Sequence, residues 1–402
     1  MERILLGDNN SDSDSVTCLD LSKDGTHVAC GSWSYEDKAT IIIYSMETGK
    51  IEYRADNVFP GGVTDLKFLP NSGLVSVGNT YSRCNLKVFS PFLELVQTLA
   101  DHNCCAFCII VSPGGHHIVS GDGDGEVMIW SDDDDDVSGE GGKWARVQVL
   151  DDHSHVICAL CFSPDGKQLA TGSKDKSVKV YSFNDGNGNA ILAHTLEGHT
   201  NYIWHLSFSP DSTTLCSGSW DKSVKFWNPA DGSLVKSIDQ AHSNRINCVS
   251  YSPNGRVLVS AGYDTTMKIW DAETFELKHT MEQEYNTNQL TITADSNFIV
   301  SANEDHTVRI TPCREYHLTG LTPILNLILH IVYKWEFVSF LEPNENTPSS
   351  TLEKVMRLLG ECVYNGGYNV TSEILSFLSP AHLPIQITPT RWKPKSRELA
   401  EG

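Results

Sequence analysis

The chain has 402 residues, enough for two or three average domains or for one large all-β domain with additions. Its hydrophobic fraction of 40% and charged fraction of 20% are globular values, which exclude collagen, coiled coil and wholesale disorder. Acids outnumber bases by 51 to 30, for a formal charge of −21, so the surface repels phosphate backbones and no nucleic-acid partner is expected.

Twelve cysteines are too few for a disulfide scaffold. The opening residues carry no apolar signal core and turn acidic by Asp8. The expected compartment is therefore reducing, in the cytoplasm or the nucleus.

From Asp20 onward one phrase recurs. It begins as DLSKDGTHVACGS at Asp20 and KFLPNSGLVSVGN at Lys67, then as IVSPGGHHIVSGDGDGEVMIW at Ile110. It is fullest as CFSPDGKQLATGSKDKSVKVY at Cys161, SFSPDSTTLCSGSWDKSVKFW at Ser207 and SYSPNGRVLVSAGYDTTMKIW at Ser250. TITADSNFIVSANEDHTVRI at Thr291 completes seven copies. The equivalent apolar residues Leu21, Phe68, Val111, Phe162, Phe208, Tyr251 and Ile292 are 47, 43, 51, 46, 43 and 41 residues apart, a period that suits four short strands per unit. Ser-Pro-Asp-Gly is a turn sequence, and β-branched runs such as Val178-Lys179-Val180-Tyr181 alternate between two faces. One unit cannot bury both faces of its sheet, whereas a ring of units can.

These repeats resemble the WD-repeat β-propeller family over residues 1–311. The resemblance implies an all-β, seven-bladed propeller. It also implies a hydrogen-bonded set in each blade: a His before the first strand, a Ser or Thr on the second, an Asp in the next turn and a Trp on the third. Residues His199, Ser217, Asp221 and Trp227 match that set, as do His242, Ser260, Asp264 and Trp270. His102, Ser120, Asp124 and Trp130 form a third candidate set. His153, Thr171 and Asp175 form a fourth, with Tyr181 in place of Trp. Such Ser/His/Asp trios recur once per repeat, which an active site would not do, so they are expected to be structural. Three repeats depart from the pattern: Asp12 and Phe59 stand where His is expected, and the seventh has Tyr285 or a neighbour there and Thr311 in the Trp position. The seventh repeat ends on its third strand, and residues 3–6 are expected to supply its fourth and lock the ring.

Several segments lie outside the repeat. Residues 131–142, SDDDDDVSGEGG, are an insertion in the third unit, read as a solvated acidic loop or an electrostatic strip for a basic partner. Residues 312–342 hold an apolar stretch at helical spacing, short for a membrane span. Residues 343–402 read as a linker, short helices and a loose polar tail, so a short C-terminal helical extension is expected. A membrane partner is not expected, although a tether through 321–341 would be the alternative.

Cys104, Cys105, Cys108 and His102, and the pair Cys158 and Cys161, suggest metal ligands. Neighbours on a strand point to opposite faces, so buried thiols are the better reading, and no metal or cofactor is expected. No phosphate loop, GxSxG or HExxH is present, and no enzyme is expected.

In propellers of this family partners dock on the face that carries the turn Asp. There the resemblance places Lys174, Trp220, Tyr263 and Glu304, with Tyr202 and Arg245 from the approach to the first strand. Trp220, Tyr263, Tyr202, Arg245 and Lys174 are the candidate partner-binding residues, because aromatics and Arg dominate binding hot spots. The expectation is a non-catalytic scaffold for a protein or peptide partner in a multiprotein complex, its propeller monomeric. The alternative is a substrate receptor of a cullin-based ubiquitin ligase. Its nearest signature, Trp270-Asp271-Ala272-Glu273, has Glu where Arg is required, and 351–386 is a distant echo of a SOCS box.

Overall fold

A computed structural model describes residues 3–6, 15–33, 39–79, 86–132, 144–184 and 186–313. Residues 133–142 of the expected acidic loop, Asp12 and residues 314–402 of the expected C-terminal extension fall outside the described residues. Every described element is a strand.

Strand β1 is Arg3–Leu6. There follow β2 (Ser15–Leu21), β3 (His27–Trp33), β4 (Ile41–Ser45) and β5 (Ile51–Ala55). The next four are β6 (Gly62–Phe68), β7 (Leu74–Asn79), β8 (Leu86–Phe89) and β9 (Leu95–Leu99). Then come β10 (Ala106–Val111), β11 (His117–Asp122), β12 (Val127–Asp132) and β13 (Trp144–Leu150). After them run β14 (Ile157–Phe162), β15 (Gln168–Ser173), β16 (Val178–Asn184) and β17 (Asn189–Leu196). The fifth group is β18 (Ile203–Phe208), β19 (Leu215–Ser219), β20 (Val224–Trp227) and β21 (Leu234–Ile238). The sixth is β22 (Ile246–Tyr251), β23 (Val257–Gly262), β24 (Thr266–Asp271) and β25 (Leu277–Glu282). The chain of strands ends with β26 (Thr287–Ile292), β27 (Phe298–Asn303) and β28 (Thr307–Pro312).

All pairing is antiparallel meander within groups of four, giving five four-stranded sheets and one of eight. In the eight-stranded sheet the single strand pairing between two groups of four, among the described residues, is Trp33 opposite Gly62. The approach is so close that a Cβ at Gly62 would meet the Trp33 ring at 1.9 Å. In the last group β1 takes the place of a fourth strand, pairing Arg3 with Ile310 and Leu6 with Thr307. The chain's first strand thus covers an edge that would otherwise stand open.

The core lies between the groups. One cluster joins Val16, Leu19 and Val28 to Val300, Val308 and Ile310, so the first and last groups pack against each other. Another joins Val259 and Ile269 to Leu290 and Ile299. Second strands such as β11 and β23 are buried along their whole length, while β21 and β25 are largely exposed. This gradient is what a sheet needs when its inner strands are covered by neighbours on both faces.

First strands from all seven groups, β2, β6, β10, β14, β18, β22 and β26, line one cavity of about 580 Å³. Around it, side chains of one group bond the backbone of the next. Asp20 Oδ2 accepts from Phe68 N at 2.9 Å and Asp65 Oδ2 from Ile109 N at 3.0 Å. Ser207 Oγ accepts from Tyr251 N at 3.0 Å, and Gln289 Oε1 from Leu19 N at 2.7 Å across the closure. Lys67 Nζ sits 3.4 Å from Asp65 and 3.7 Å from Asp20. Burial alone would lower the Lys67 pKa, but the two carboxylates raise it, and the ammonium stays charged.

A second stitch runs along the outer strands. Gln97 on β9 donates to Trp144 O at 2.8 Å and accepts from Trp144 N at 2.9 Å. Gln148 on β13 does the same to Ala190, at 2.9 and 2.8 Å. Each amide side chain thereby imitates a strand partner for the neighbouring outer strand. His194, two residues before Leu196 as Gln97 is before Leu99, reaches Ala230 O at 3.0 Å.

Candidate partner-binding face

The polar sets come first, because they position the turns that form this face. Trp227 Nε1 donates to Ser217 Oγ at 2.8 Å. Ser217 Oγ lies 2.8 Å from His199 Nε2, and His199 Nδ1 lies 2.8 Å from Asp221 Oδ2. Burial lowers the His199 pKa against the opposing pull of Asp221, so the imidazole is neutral near pH 7. An indole can only donate and a carboxylate can only accept, so with a neutral ring the hydrogens run Trp227 to Ser217 to His199 to Asp221. Asp221 in turn accepts from Thr200 N and Ser223 N, both at 2.9 Å. Burial would raise its pKa, but the hydrogen bonds from His199 and Ser223 hold it well below the usual carboxylate range.

The same chain recurs through Trp270, Ser260, His242 and Asp264, with contacts of 2.8, 2.7 and 3.0 Å. In the fourth group His153 lies 2.7 Å from both Thr171 and Asp175. Tyr181, in the Trp position there, donates instead to Asp152 Oδ2 at 3.1 Å.

The third group corrects one expectation. His102 meets Ser120 at 2.7 Å as expected, and Trp130 donates to Ser120 at 2.9 Å. Its carboxylate partner, however, is Asp122 at 3.0 Å, not Asp124. Asp122 is fully buried and also accepts from the amides of Asp124 and Glu126, while the Asp124 side chain is exposed. The glycine-rich turn has a carboxylate two residues earlier than in the other groups, and that one reaches the ring. In the second group, Phe59 is buried and Lys87 lies over its ring at 5.0 Å, donating to Val58 O at 2.6 Å. In the seventh, Tyr285 is exposed, Thr311 is half-buried, and Asp305 pairs with Arg309 instead of a His.

Each of these turns is tied back to the chain entering the first strand. Lys174 N donates to Val156 O at 2.9 Å, Trp220 N to Tyr202 O at 2.9 Å, Tyr263 N to Arg245 O at 2.7 Å and Glu304 N to Asn286 O at 3.0 Å. That stitch sets the side chain before the turn Asp beside the side chain before the first strand.

The result is a continuous stack across the fourth, fifth and sixth groups. Lys174 Nζ lies 5.6 Å over the Tyr202 ring, and Tyr202 is 5.2 Å from Trp220 by ring centroids. The Arg245 guanidinium lies 4.5 Å over Trp220 and 3.9 Å over Tyr263. All five candidate residues are therefore in one row and all are half-buried. Glu304 lines the cavity nearby, its carboxylate accepting from Asn286 Nδ2 at 2.8 Å. Trp204 is an addition that the sequence reading missed. It stacks on Trp220 at 4.7 Å and 28° and faces the cavity from β18. Its signal was a bulky aromatic at a place where β2, β6, β22 and β26 have Thr17, Thr64, Asn247 and Asn288.

The cysteines are placed otherwise. Cys108 Sγ points to Ile157 O at 3.6 Å, and Cys158 Sγ to Val156 O at 3.8 Å. Burial pushes the Cys158 thiol up to about 12 and the Cys161 thiol to about 11, which favours the protonated donor over the thiolate that a metal requires. Among the described residues no group of three or more His, Cys, Asp or Glu is arranged to hold a metal ion, and no helix is long and apolar enough to cross a membrane.

Strands in closed groups of four around one cavity, with a Trp-Ser-His-Asp chain in several of them, define a repeat β-propeller. The family pattern described as WD domain, G-beta repeat matches residues 5–42, 93–131, 144–182, 191–228 and 232–271. The chain belongs to the WD-repeat family. Over shorter stretches it is similar to Protein hir1 of Emericella nidulans, 34% identical over 24% of this chain and 9% of that protein. It is 25% identical to the WD repeat-containing protein SL1-17 of Schistosoma mansoni, over 42% of this chain and 52% of the other. With the probable cytosolic iron-sulfur protein assembly protein 1 of Kluyveromyces lactis it shares 27% identity, over 29% of this chain and 35% of that one. The matches span about half the length of these relatives or less.

Proposed function

We propose that the chain is a non-catalytic interaction scaffold that docks a peptide or protein on the Lys174–Tyr263 row, within a multiprotein complex of the cytoplasm or nucleus. The observation that carries this is the row itself. Three aromatic rings and an Arg, the residue types that dominate binding hot spots, touch one another, half-buried, and Trp220, Arg245 and Tyr263 among them line the central cavity. Rigid strands beneath the row mean that little ordering entropy is lost on docking. One relative is described as an assembly protein, which agrees with a role among partners.

The test is affinity purification of the full chain and of its Trp220→Ala variant. The indole is half-buried and stacked rather than enclosed in a core cluster, so the variant should fold with a thermal midpoint close to the parent and lose its partner set. Partners retained by a folded Trp220→Ala variant would refute the reading. Loss of folding would show Trp220 to be core and would refute its assignment as a docking residue.

A further inference from the structure

The row contains two cations that, among the described residues, pair with no carboxylate. Elsewhere the chain pairs its cations closely: Lys67 with Asp65, Lys278 with Asp271, Arg309 with Asp305. Lys87, Lys179 and Lys268, which also lack a carboxylate, donate instead to Val58 O, Thr195 Oγ1 and Ala241 O, whereas the Lys174 and Arg245 side chains meet no acceptor among the described residues. Arg245 Nε is buried without an acceptor, and so is Trp220 Nε1, on the side chain that it touches. The outer N–H groups of the same guanidinium meet no acceptor among the described residues either, and a ligand that supplied one would satisfy them. Rings stacked against a guanidinium leave its in-plane N–H donors free for an anion.

We propose that Arg245 recognises a side-chain carboxylate of the docked peptide. The Asp or Glu accepts from the outer N–H groups of the Arg245 fork, and a neighbouring apolar residue of the peptide lies on the Trp204–Trp220 stack. A carboxylate fits better than a phosphate. One planar fork matches two oxygens, whereas phosphate sites gather several cations, and Lys174 lies on the far side of Tyr202 and Trp220. This rests on the row being the docking surface.

The experiment is selection of random phage-displayed dodecapeptides against the immobilised full chain, followed by titration of the selected sequence as a synthetic peptide. The expected consensus has Asp or Glu at one fixed position beside an aromatic or aliphatic residue. Arg245→Gln, with an unchanged thermal midpoint, should weaken that peptide by about tenfold or more, and Glu→Gln in the peptide should do the same. A consensus with no acidic position overturns the proposal, as does an acidic consensus indifferent to Arg245→Gln. A phosphoserine peptide that binds about tenfold tighter than its glutamate counterpart reassigns the site to phosphate and overturns it too. Trp220→Ala separates the two readings. Selected peptides without an acid that are lost in Trp220→Ala leave the docking surface standing, whereas peptides that survive Trp220→Ala, or no selection at all, remove the surface and the carboxylate with it.

Discussion

Replacing Asp122 and Asp124 in turn by Ala separates two carboxylates only two residues apart. Asp122 is fully buried and accepts from His102 Nδ1, Asp124 N and Glu126 N at 3.0, 3.0 and 2.9 Å. Hydrogen bonds to a charged acceptor contribute about 1.5–3 kcal/mol each, and these three share one carboxylate, so their losses do not simply add. His102 is almost fully enclosed, so its N–H would be orphaned. Asp122→Ala should therefore cost about 3–5 kcal/mol. Asp124 is exposed, and its carboxylate has no partner among the described residues, so Asp124→Ala should stay within about 0.5 kcal/mol. Urea denaturation of both variants, followed by intrinsic fluorescence and checked for equal slope, measures the difference. If Asp124→Ala proved the more damaging, the His102 partner would be wrongly assigned and the register of this turn with it.

Acid should destabilise the fold in two stages. His199 is held below the ordinary imidazole pKa by burial, and His205 is pushed down to about 4 by burial and by Lys67, so both imidazoles protonate more readily in the unfolded chain. Their stabilising contribution is complete above about pH 6.5 and is lost as the pH falls below it. Asp175, Asp221 and Asp264 are held low by their His and hydroxyl partners, against burial, so their contribution is complete above about pH 4 and is lost below it. Thermal midpoints measured against pH should be flat from pH 7 to 8, decline gently below about 6.5 and steeply below about 4, and His205→Gln should flatten the gentle stage. A midpoint that rises on acidification through pH 6 would contradict the neutral imidazoles. On the outer strands, Gln97→Ala and Gln148→Ala each delete a pair of hydrogen bonds and should each lower stability by about 1–2 kcal/mol in urea. Gln97→Glu should cost at least as much, because a carboxylate cannot donate to Trp144 O. No loss in any of the three would mean that water replaces these contacts.

Much of the architecture is written locally and could be read from the sequence. Turn chemistry in Ser163-Pro164-Asp165-Gly166 and the fixed interval of 18 residues from His199 to Ser217 are properties of one repeat. So is the residue before the turn Asp, which is why Trp220, Tyr263 and Lys174 could be named together before their contacts were known. What escaped depended on neighbours. Asp122 and Asp124 are equivalent in composition, and only the turn geometry decides which one reaches His102. Trp204 on an inner strand reads as core until the cavity beside it is seen. Gln97 and Gln148 look like ordinary polar residues of an outer strand, because their partners lie 47 and 42 residues away.

The pairing of β1 with β28 also governs how the ring responds to force. The two strands are antiparallel, with Arg3 opposite Ile310 and Leu6 opposite Thr307, so the chain enters and leaves at the same end of the ribbon. Tension between those ends loads one rung at a time, as in a peeled strip, whereas a parallel pair would be sheared along all its rungs at once. Among the described residues four pairs resist. Once they part, the Val16–Val300 seam beneath is the next to open, and the ring would yield there before any other blade boundary carried load.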